Sequence, residues 1–188
     1  GQMGNGITQV AASAGYEVLM VDIKQEFVDR GMATIQKSLS KLVAKERMSQ
    51  FDADETIARI TTTTNRNDCA DVDLVVEAVP EILDLKTSIF SELDEICKPE
   101  CILASNTSSI SISTIANSTS RPDKVIGMHF MNPVPIMKLV EIINGDQTSE
   151  ATNSAVVEAA EKMGKTALSC NDSPGFVSNR ILCPMLNE

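Results

Sequence analysis

Residues 1–22 read GQMGNGITQVAASAGYEVLMVD, and this stretch decides the fold. Glycines occupy positions 1, 4 and 6, and apolar residues at helical spacing follow them as far as Gly15, which is expected to end the helix. Glu17–Val21 is an apolar run with β-branched residues, as strands have, and Asp22 follows it directly. A glycine turn, a helix, a strand and an acid about 20 residues further on form the second half of a dinucleotide-binding fingerprint. Its first strand and first glycine are expected before Gly1.

Each part of this fingerprint has a physical task at the cofactor. Gly1 lets the backbone approach the pyrophosphate, and Gly4 allows the helix to pack closely on a strand. Asp22 accepts hydrogen bonds from the ribose hydroxyls of the adenosine and repels a 2′-phosphate, so the residues favour NAD over NADP. The alternative that these residues leave open is a tight turn and an Asp at a strand end, with no bound nucleotide.

The rest of the chain alternates strand and helix patterns, which predicts an α/β fold: a doubly wound, mostly parallel Rossmann-type sheet with its first strand missing. Residues 1–172 are expected to form the NAD-binding domain, and residues 173–188 to begin an all-α C-terminal domain that is mostly absent. The expected strands after Val21 are Ile60–Thr63, Asp73–Val79, Cys101–Ala104, Val125–Phe130, Met137–Ile143 and Thr166–Cys170. The expected helices are Lys24–Met48, Glu55–Arg59 with Asp54 as its cap, Leu85–Ile96, Ser111–Ala116, Thr148–Met163 and Phe176–Leu186.

The carboxyl ends of two buried strands carry polar residues. Glu81 lies just after Asp73–Val79, and the five residues Ser105–Ser109, SNTSS, come after Cys101–Ala104. Ligands of open α/β sheets lie outside the carboxyl ends of the strands, so these residues are expected to line the cofactor crevice. A turn and a helix cap account for one or two of the five small polar residues, and five are more than a cap requires.

The only histidine of the chain, His129, lies in VIGMHFMNPVPIMKLVEII, residues 125–143. Two strand-like runs flank a turn whose prolines cannot belong to a central strand. If the runs fold back on each other about Pro135, His129 lies opposite Glu141, the only carboxylate of the second run. A carboxylate bound to one ring nitrogen sets the tautomer and leaves the other nitrogen as a general base. The alternative is a histidine with a structural role at a strand end, with Glu141 in solvent.

Composition excludes several classes of function. The 188 residues have a net charge of −10 at pH 7, no Trp and one Tyr, which argues against general binding to nucleic acid or to an anionic membrane. No apolar run approaches the roughly 20 residues of a membrane span. The five cysteines form no CxxC pair, so reduced thiols in a cytoplasmic protein are expected, rather than disulfides or a metal site.

Three lysines at positions 37, 41 and 45 form a line along the expected helix Lys24–Met48. Such a line in an acidic protein suits a phosphate site. On spacing alone, an ordinary solvated helix face is the favoured interpretation.

Five motifs together resemble those of the L-3-hydroxyacyl-CoA dehydrogenases, in the same order and spacing: GQMGNGI, DLVVEAVPE, ILASNTSSISI, GMHFMNPVPIMKLVEII and SPGFVSNRIL. The resemblance runs from Gly1 to Glu188. FVDRG and ICKPECILASNTSSISI are most similar to the bacterial, clostridial-type 3-hydroxybutyryl-CoA dehydrogenases. The resemblance implies an oxidoreductase of fatty acid and butanoate metabolism that uses NAD to interconvert (S)-3-hydroxyacyl-CoA and 3-oxoacyl-CoA.

The resemblance also implies roles for individual residues. The general base would be His129 with Glu141 as its partner, Ser108 would touch both substrate and nicotinamide, and Asn179 would orient the substrate. The residues expected to bind NAD are Gly1, Gln2, Met3, Gly4, Asp22, Glu81, Lys86, Ser108 and Asn132. The residues expected to bind the acyl-CoA are Ser38, Lys45 and Ser108, and no residue is expected to bind a metal.

The chain departs from the family pattern at a few points. Met131 stands where the family usually has phenylalanine, and Met is an adaptable filler of such a pocket. A fragment that lacks most of the C-terminal domain is expected to bind acyl-CoA poorly, and the full-length protein is expected to be a homodimer or higher homo-oligomer. Two other functions remain open: a related hydroxy-acid or sugar-acid dehydrogenase, and a nucleotide-binding homologue without activity.

Overall fold

The structure, a computed structural model, describes residues 1–187. The helices are α1 (Gln2–Ser13), α2 (Gln25–Ala44), α3 (Gln50–Ala58), α4 (Leu83–Ile96), α5 (Ile112–Ala116), α6 (Glu150–Lys162) and α7 (Ser178–Asn187). The strands are β1 (Val18–Val21), β2 (Ile60–Thr63), β3 (Leu74–Glu77), β4 (Ile102–Ser105), β5 (Val125–Phe130), β6 (Leu139–Asn144) and β7 (Thr166–Asn171).

The strands form a mostly parallel arrangement in two parts. Five strands lie in the order β3-β4-β5-β6-β7, with every neighbouring pair parallel except β5 and β6, and β1 and β2 form a separate parallel pair. Leu19 and Val21 of β1 pack against the same apolar cluster as Val75 of β3, so the two parts share a core. The predicted α/β fold with a mostly parallel sheet is confirmed.

Helices cover both faces of the five-stranded sheet. On one face Phe90 of α4 and Ile115 of α5 pack with inward residues of β4, β5 and β6. On the other face Ile7 of α1 and Val156 of α6 pack with the residues that alternate with them along the same strands. Burial of one such side chain stabilises the fold by about 1.5–3 kcal/mol, so the two apolar layers hold the sheet between the helices.

The hairpin about the proline-rich turn has the predicted register. In the antiparallel ladder of β5 and β6, His129 pairs with Glu141 and Phe130 pairs with Val140. All six residues of β5 are buried. The hairpin is therefore an internal part of the sheet, and its turn places Asn132 beyond the end of the ladder.

Two helix boundaries differ from the prediction by four residues or more. The long helix ends at Ala44 rather than Met48, because Glu46 adopts a φ of 56° and the N–H of Arg47 donates to the carbonyl of Leu42, at 2.9 Å. This reversal leaves Lys45 as the C-cap, and no glycine marks it in the sequence.

The next helix begins at Gln50, and its cap is Ser49 rather than Asp54. The hydroxyl oxygen of Ser49 accepts the N–H of Asp52 at 3.0 Å and donates to its carboxylate at 2.7 Å. The end of α1 agrees with the prediction, since Gly15 follows it with a φ of 88°.

No helix in the described part of the chain has both the length and the apolar character needed to cross a membrane.

The contact between Gly127 on β5 and its neighbours leaves no room for a side chain. A Cβ at Gly127 would lie 2.8 Å from Cβ of Ile143 and 3.1 Å from Cδ1 of Ile112. We predict that Gly127→Ala lowers the free energy of unfolding by about 1–3 kcal/mol, as overpacking of a core does. Urea unfolding without NAD measures this change.

The matched control is Gly4→Ala, because a Cβ at Gly4 meets no atom within 4 Å. This variant is expected to be unchanged or more stable by about 0.5–1 kcal/mol, since Ala favours a helix over Gly. Equal unfolding midpoints for Gly127→Ala and the unmodified chain would contradict the close contact of Gly127 with Ile143 and Ile112.

Candidate active site

A histidine–carboxylate pair lies at the end of β5. Nδ1 of His129 is 2.8 Å from Oε2 of Glu141, and the two residues are 6% and 0% exposed. Burial alone would raise the pKa of Glu141, but hydrogen bonds from His129, Ser178 and Val177 outweigh it and hold that pKa below its ordinary value. An ionised carboxylate can only accept hydrogen bonds, so Nδ1 of His129 carries the proton that it donates to Glu141.

The other ring nitrogen of His129 faces a hydroxyl. Nε2 lies 3.0 Å from Oγ of Ser108. Because the proton of the neutral ring is on Nδ1, Nε2 has a free lone pair and the hydroxyl of Ser108 donates to it. The side chain of Asn179 donates to the carbonyl of Ser108 at 3.3 Å. The four residues predicted to be catalytic therefore meet at one place, although they come from four separate segments of the chain.

An aromatic side chain packs against one side of the histidine ring. The ring of Phe176, which is 3% exposed, meets the His129 ring edge-on with the centroids 5.8 Å apart. Burial of the imidazole strengthens its interaction with Glu141, because the effective dielectric constant is lower inside the protein than in water.

The polar run Ser105–Ser109 begins with the last residue of β4. Three of its side chains have structural contacts, the kind of role that a turn and a helix cap predict for one or two of them. The hydroxyl of Ser105 donates to Glu77 at 2.7 Å, and Oδ1 of Asn106 accepts the N–H of Phe130 at 2.8 Å. The hydroxyl of Thr107 donates to Glu81 and accepts the N–H of Ile110 at 2.9 Å. Ser108 is the residue of this run that faces His129.

A buried ion pair joins the end of β3 to α4, and the sequence patterns did not predict it. Nζ of Lys86 is 2.8 Å from Oε1 and 3.1 Å from Oε2 of Glu77, and the side chains are 1% and 2% exposed. Glu77 also accepts the N–H of Val79 at 2.6 Å. The resemblance assigns Lys86 to NAD. In the structure its ammonium is paired with Glu77 and also donates to the carbonyl of Val79 at 3.3 Å, on the segment that leads to Glu81. The sequence did contain a signal for this ion pair: Glu77 ends a strand that is otherwise apolar, and a buried charge requires a partner.

The first turn of α1 fits a dinucleotide. No side chain caps this helix, its first turn has no acid, and Gly1 and Gly4 leave the space beside it open. A helix N-terminus of this kind binds an anion such as a pyrophosphate. Asp22 lies 3.2 Å from the nitrogen of Gly1, which suits a ribose next to that anion.

Contacts between α1 and the proline-rich turn join the cofactor side to the histidine side. The side chain of Gln2 donates to Oδ1 of Asn132 at 3.2 Å. The fingerprint predicts close packing at Gly4, whereas within residues 1–187 a Cβ there would have no atom from outside its own helix backbone within 4 Å. The close approach is at Gly6, where a Cβ would lie 2.7 Å from Cβ of Val134. The sequence contains both glycines but does not show which one faces the turn.

The residues expected to bind CoA lie apart from the dyad. Ser38 is half-buried on α2 and Lys45 is exposed at its C-terminal end. Within the described residues, no hydrogen bond or ion pair joins either of them to His129 or Glu141. The same part of the chain contains no group of three His, Cys, Asp or Glu residues placed to hold a metal ion.

The tautomer of His129 should depend on Glu141. Glu141→Gln keeps an oxygen for the backbone N–H donors but presents an amide in place of one acceptor. We predict that the neutral ring then becomes a mixture of Nδ1–H and Nε2–H forms, whereas the unmodified chain is almost all Nδ1–H. The ¹⁵N shifts of the imidazole measure this without assignment, because the chain has one histidine. Glu161→Gln, at an exposed position of α6, is the control; an unmoved tautomer in Glu141→Gln would contradict the pairing.

Comparison with known proteins identifies the family. The sequence profile of the 3-hydroxyacyl-CoA dehydrogenase NAD-binding domain matches residues 1–173. The chain is 59% identical, over its whole length, to a Deinococcus radiodurans protein named "Probable 3-hydroxybutyryl-CoA dehydrogenase", of which it covers 67%. It is 48% identical, again over its whole length, to 3-hydroxybutyryl-CoA dehydrogenase of Clostridioides difficile, of which it covers 67%.

A solved structure has the same fold. The crystal structure of (S)-3-hydroxybutyryl-CoA dehydrogenase from Ralstonia eutropha superposes with a TM-score of 0.98 at 49% identity, and the match covers 100% of this chain and 66% of the other. The chain thus spans about two thirds of the length of the relatives that it matches. It belongs to the 3-hydroxyacyl-CoA dehydrogenase family and carries that family's NAD-binding domain.

Proposed function

We propose that this chain is the cofactor-binding and proton-transferring part of an NAD-dependent oxidoreductase that interconverts (S)-3-hydroxyacyl-CoA and 3-oxoacyl-CoA, with 3-hydroxybutyryl-CoA as the substrate. The observation that carries the proposal is the chain of contacts from Glu141 through His129 to Ser108. The turn that follows His129 is joined to the first turn of α1 through Asn132 and Gln2. The names of the relatives support the choice of substrate.

The protein supplies the proton half of the reaction. NAD, when bound, accepts the hydride that leaves C3 of the substrate. Nε2 of His129 takes the proton of the 3-hydroxyl group as that hydride leaves, so the alcohol loses one H⁺ and one H⁻ and becomes a ketone. Glu141 stabilises the imidazolium that forms. In the reverse direction the protonated ring returns the proton to the 3-keto oxygen.

Ser108 and Asn179 orient the reactants in this proposal. The hydroxyl of Ser108 lies on Nε2 in the structure, so a substrate hydroxyl placed there would share both groups. The side-chain amide of Asn179 holds the backbone of Ser108 and is next to the same position. Correct placement of this kind supplies much of the rate enhancement in hydride transfer.

The other assigned residues form one group for the cofactor and one for the CoA. Gly1, Gln2, Met3 and Gly4 provide the first turn for the pyrophosphate, Asp22 binds the adenosine ribose, and Glu81 and Asn132 lie on the nicotinamide side. Lys86, whose ammonium is held by Glu77, is assigned to the NAD on this side as well. Ser38 and Lys45 bind the CoA.

The domain boundary, assembly and location are also proposals. The NAD-binding domain ends at Asp172, and residues 173–188 belong to a helical domain that completes the substrate site and forms a homodimer or larger assembly. The exposed apolar residues of α7, such as Leu182 at 48% and Met185 at 69%, support this role. A cytoplasmic location is supported by the five cysteines, all of which are free thiols.

His129→Gln tests the proposed role of the histidine. We predict that this variant of a full-length protein containing the chain loses about 10²–10⁴-fold in kcat with acetoacetyl-CoA and NADH, as loss of a general acid–base does. NADH consumption, followed by its absorbance, measures the rate. NAD binding, measured by calorimetry, is expected to persist. A variant that keeps most of its activity would overturn the proposed function.

Lys45→Ala tests the CoA assignment against a dehydrogenase of free hydroxy acids. We predict that it raises KM for the acyl-CoA about three- to tenfold with little change in kcat, as loss of one exposed phosphate contact does. Lys41→Ala, one helical turn earlier on α2 and also exposed, is the control. Equal effects of Lys45→Ala on acyl-CoA and on free 3-hydroxybutyrate would favour the CoA-free enzyme.

A further inference from the structure

The carboxylate of Glu141 accepts hydrogen bonds from other groups besides His129. Its Oε1 accepts the N–H groups of Val177 at 3.1 Å and Ser178 at 2.8 Å. Its Oε2 accepts the hydroxyl of Ser178 at 2.8 Å and Nδ1–H of His129 at 2.8 Å. Three of these four donors come from the segment where α7 begins.

The hydroxyl of Ser178 differs from the two backbone donors. Any residue at positions 177 and 178 supplies an N–H, whereas the hydroxyl depends on the identity of Ser178. It is also the donor that shares Oε2 with His129. The hydroxyl therefore acts on the oxygen atom that holds the histidine.

A capping role does not explain this hydroxyl. Serine often precedes a helix and binds an N–H two or three residues later. Ser178 is the first residue of α7, and its hydroxyl bonds to Glu141, on β6, instead of its own helix. The contact joins two residues that are 37 positions apart in the chain.

We propose that Ser178 is a positioning residue for the proton transfer, acting through Glu141. Its hydroxyl fixes the rotamer of the buried carboxylate, so that Oε2 stays in line with Nδ1 of His129. It also takes part of the negative charge of that oxygen, which moderates how strongly Glu141 binds the imidazolium. The inference rests on the proposed function for its kinetic consequence, but the hydrogen bond itself is independent of it.

The direction of the electrostatic effect follows from the charge. A donor to a carboxylate favours the ionised form, so Ser178 contributes to the lowered pKa of Glu141. Loss of the hydroxyl removes one donor and raises the pKa of Glu141. The dyad as a unit then binds its proton more tightly, and the acid limb of the pH profile of kcat/KM moves to higher pH.

Two variants and a control separate this role from simple packing. Ser178→Ala removes the hydroxyl and keeps both backbone donors, and Ser178→Thr keeps the hydroxyl. Ser173→Ala makes the same chemical change in the same segment, at a hydroxyl for which residues 1–187 offer no hydrogen-bond partner. Activity is measured in a full-length protein that contains this chain, with NAD and 3-hydroxybutyryl-CoA.

We predict that Ser178→Ala lowers kcat about five- to tenfold, leaves KM for NAD unchanged and moves the acid limb to higher pH. Ser178→Thr should restore the rate and the profile, and Ser173→Ala should match the unmodified protein. An unmoved profile, or an equal loss in Ser173→Ala, would overturn the role of Ser178.

A second measurement does not need turnover. In the 188-residue chain, ¹³C NMR of the Glu141 carboxyl group should titrate at higher pH in Ser178→Ala than in the unmodified chain. Identical titrations would overturn the proposal. A lack of 3-hydroxyacyl-CoA turnover by the unmodified full-length protein would instead overturn the proposed function, while this titration would still test Ser178.

Discussion

A carboxylate buried as fully as that of Glu141 has to be surrounded by hydrogen-bond donors, and removal of one partner of such a buried charge costs about 3–5 kcal/mol. This requirement ties three segments together. It holds β6 in register with β5, it turns the ring of His129 toward Oε2, and it draws the start of α7 onto the sheet. The catalytic geometry is therefore a consequence of the same contacts that satisfy the buried charge.

A second buried charge organises the cofactor side of the sheet. Glu77, at the end of β3, is held by Lys86 of α4 and by Ser105 at the end of β4. The two strands and the helix between them are thereby fixed where the polar loops begin. Ser108 and Glu81 lie on those loops. The buried Glu77 thus helps to set the positions of Ser108 and Glu81, which are more exposed than Glu77 itself.

The proline-rich turn connects these two regions. Asn132 meets Gln2 of α1, and Val134 fits against Gly6. Lys165, just before β7, donates to the carbonyls of Val134 and Met137. Burial lowers the pKa of this lysine, but the two carbonyls satisfy its ammonium. The turn is therefore held from both sides, so the segment after His129 keeps a defined distance from the helix that faces the cofactor.

The sequence by itself determined the order of strands and helices and the α/β class. It also predicted that His129 lies opposite Glu141 if the hairpin forms, because strand periodicity and prolines constrain a hairpin locally. It predicted less well where α2 ends and where α3 begins, since Glu46 adopts its left-handed conformation without a glycine and Ser49 competes with Asp54 as a cap. Only the tertiary structure decided that the hydroxyl of Ser108 lies on Nε2 of His129, that Lys86 is paired with Glu77, and that Ser178 binds Glu141. These contacts join residues far apart in the chain, and the need to satisfy buried charges becomes visible only once packing has buried them.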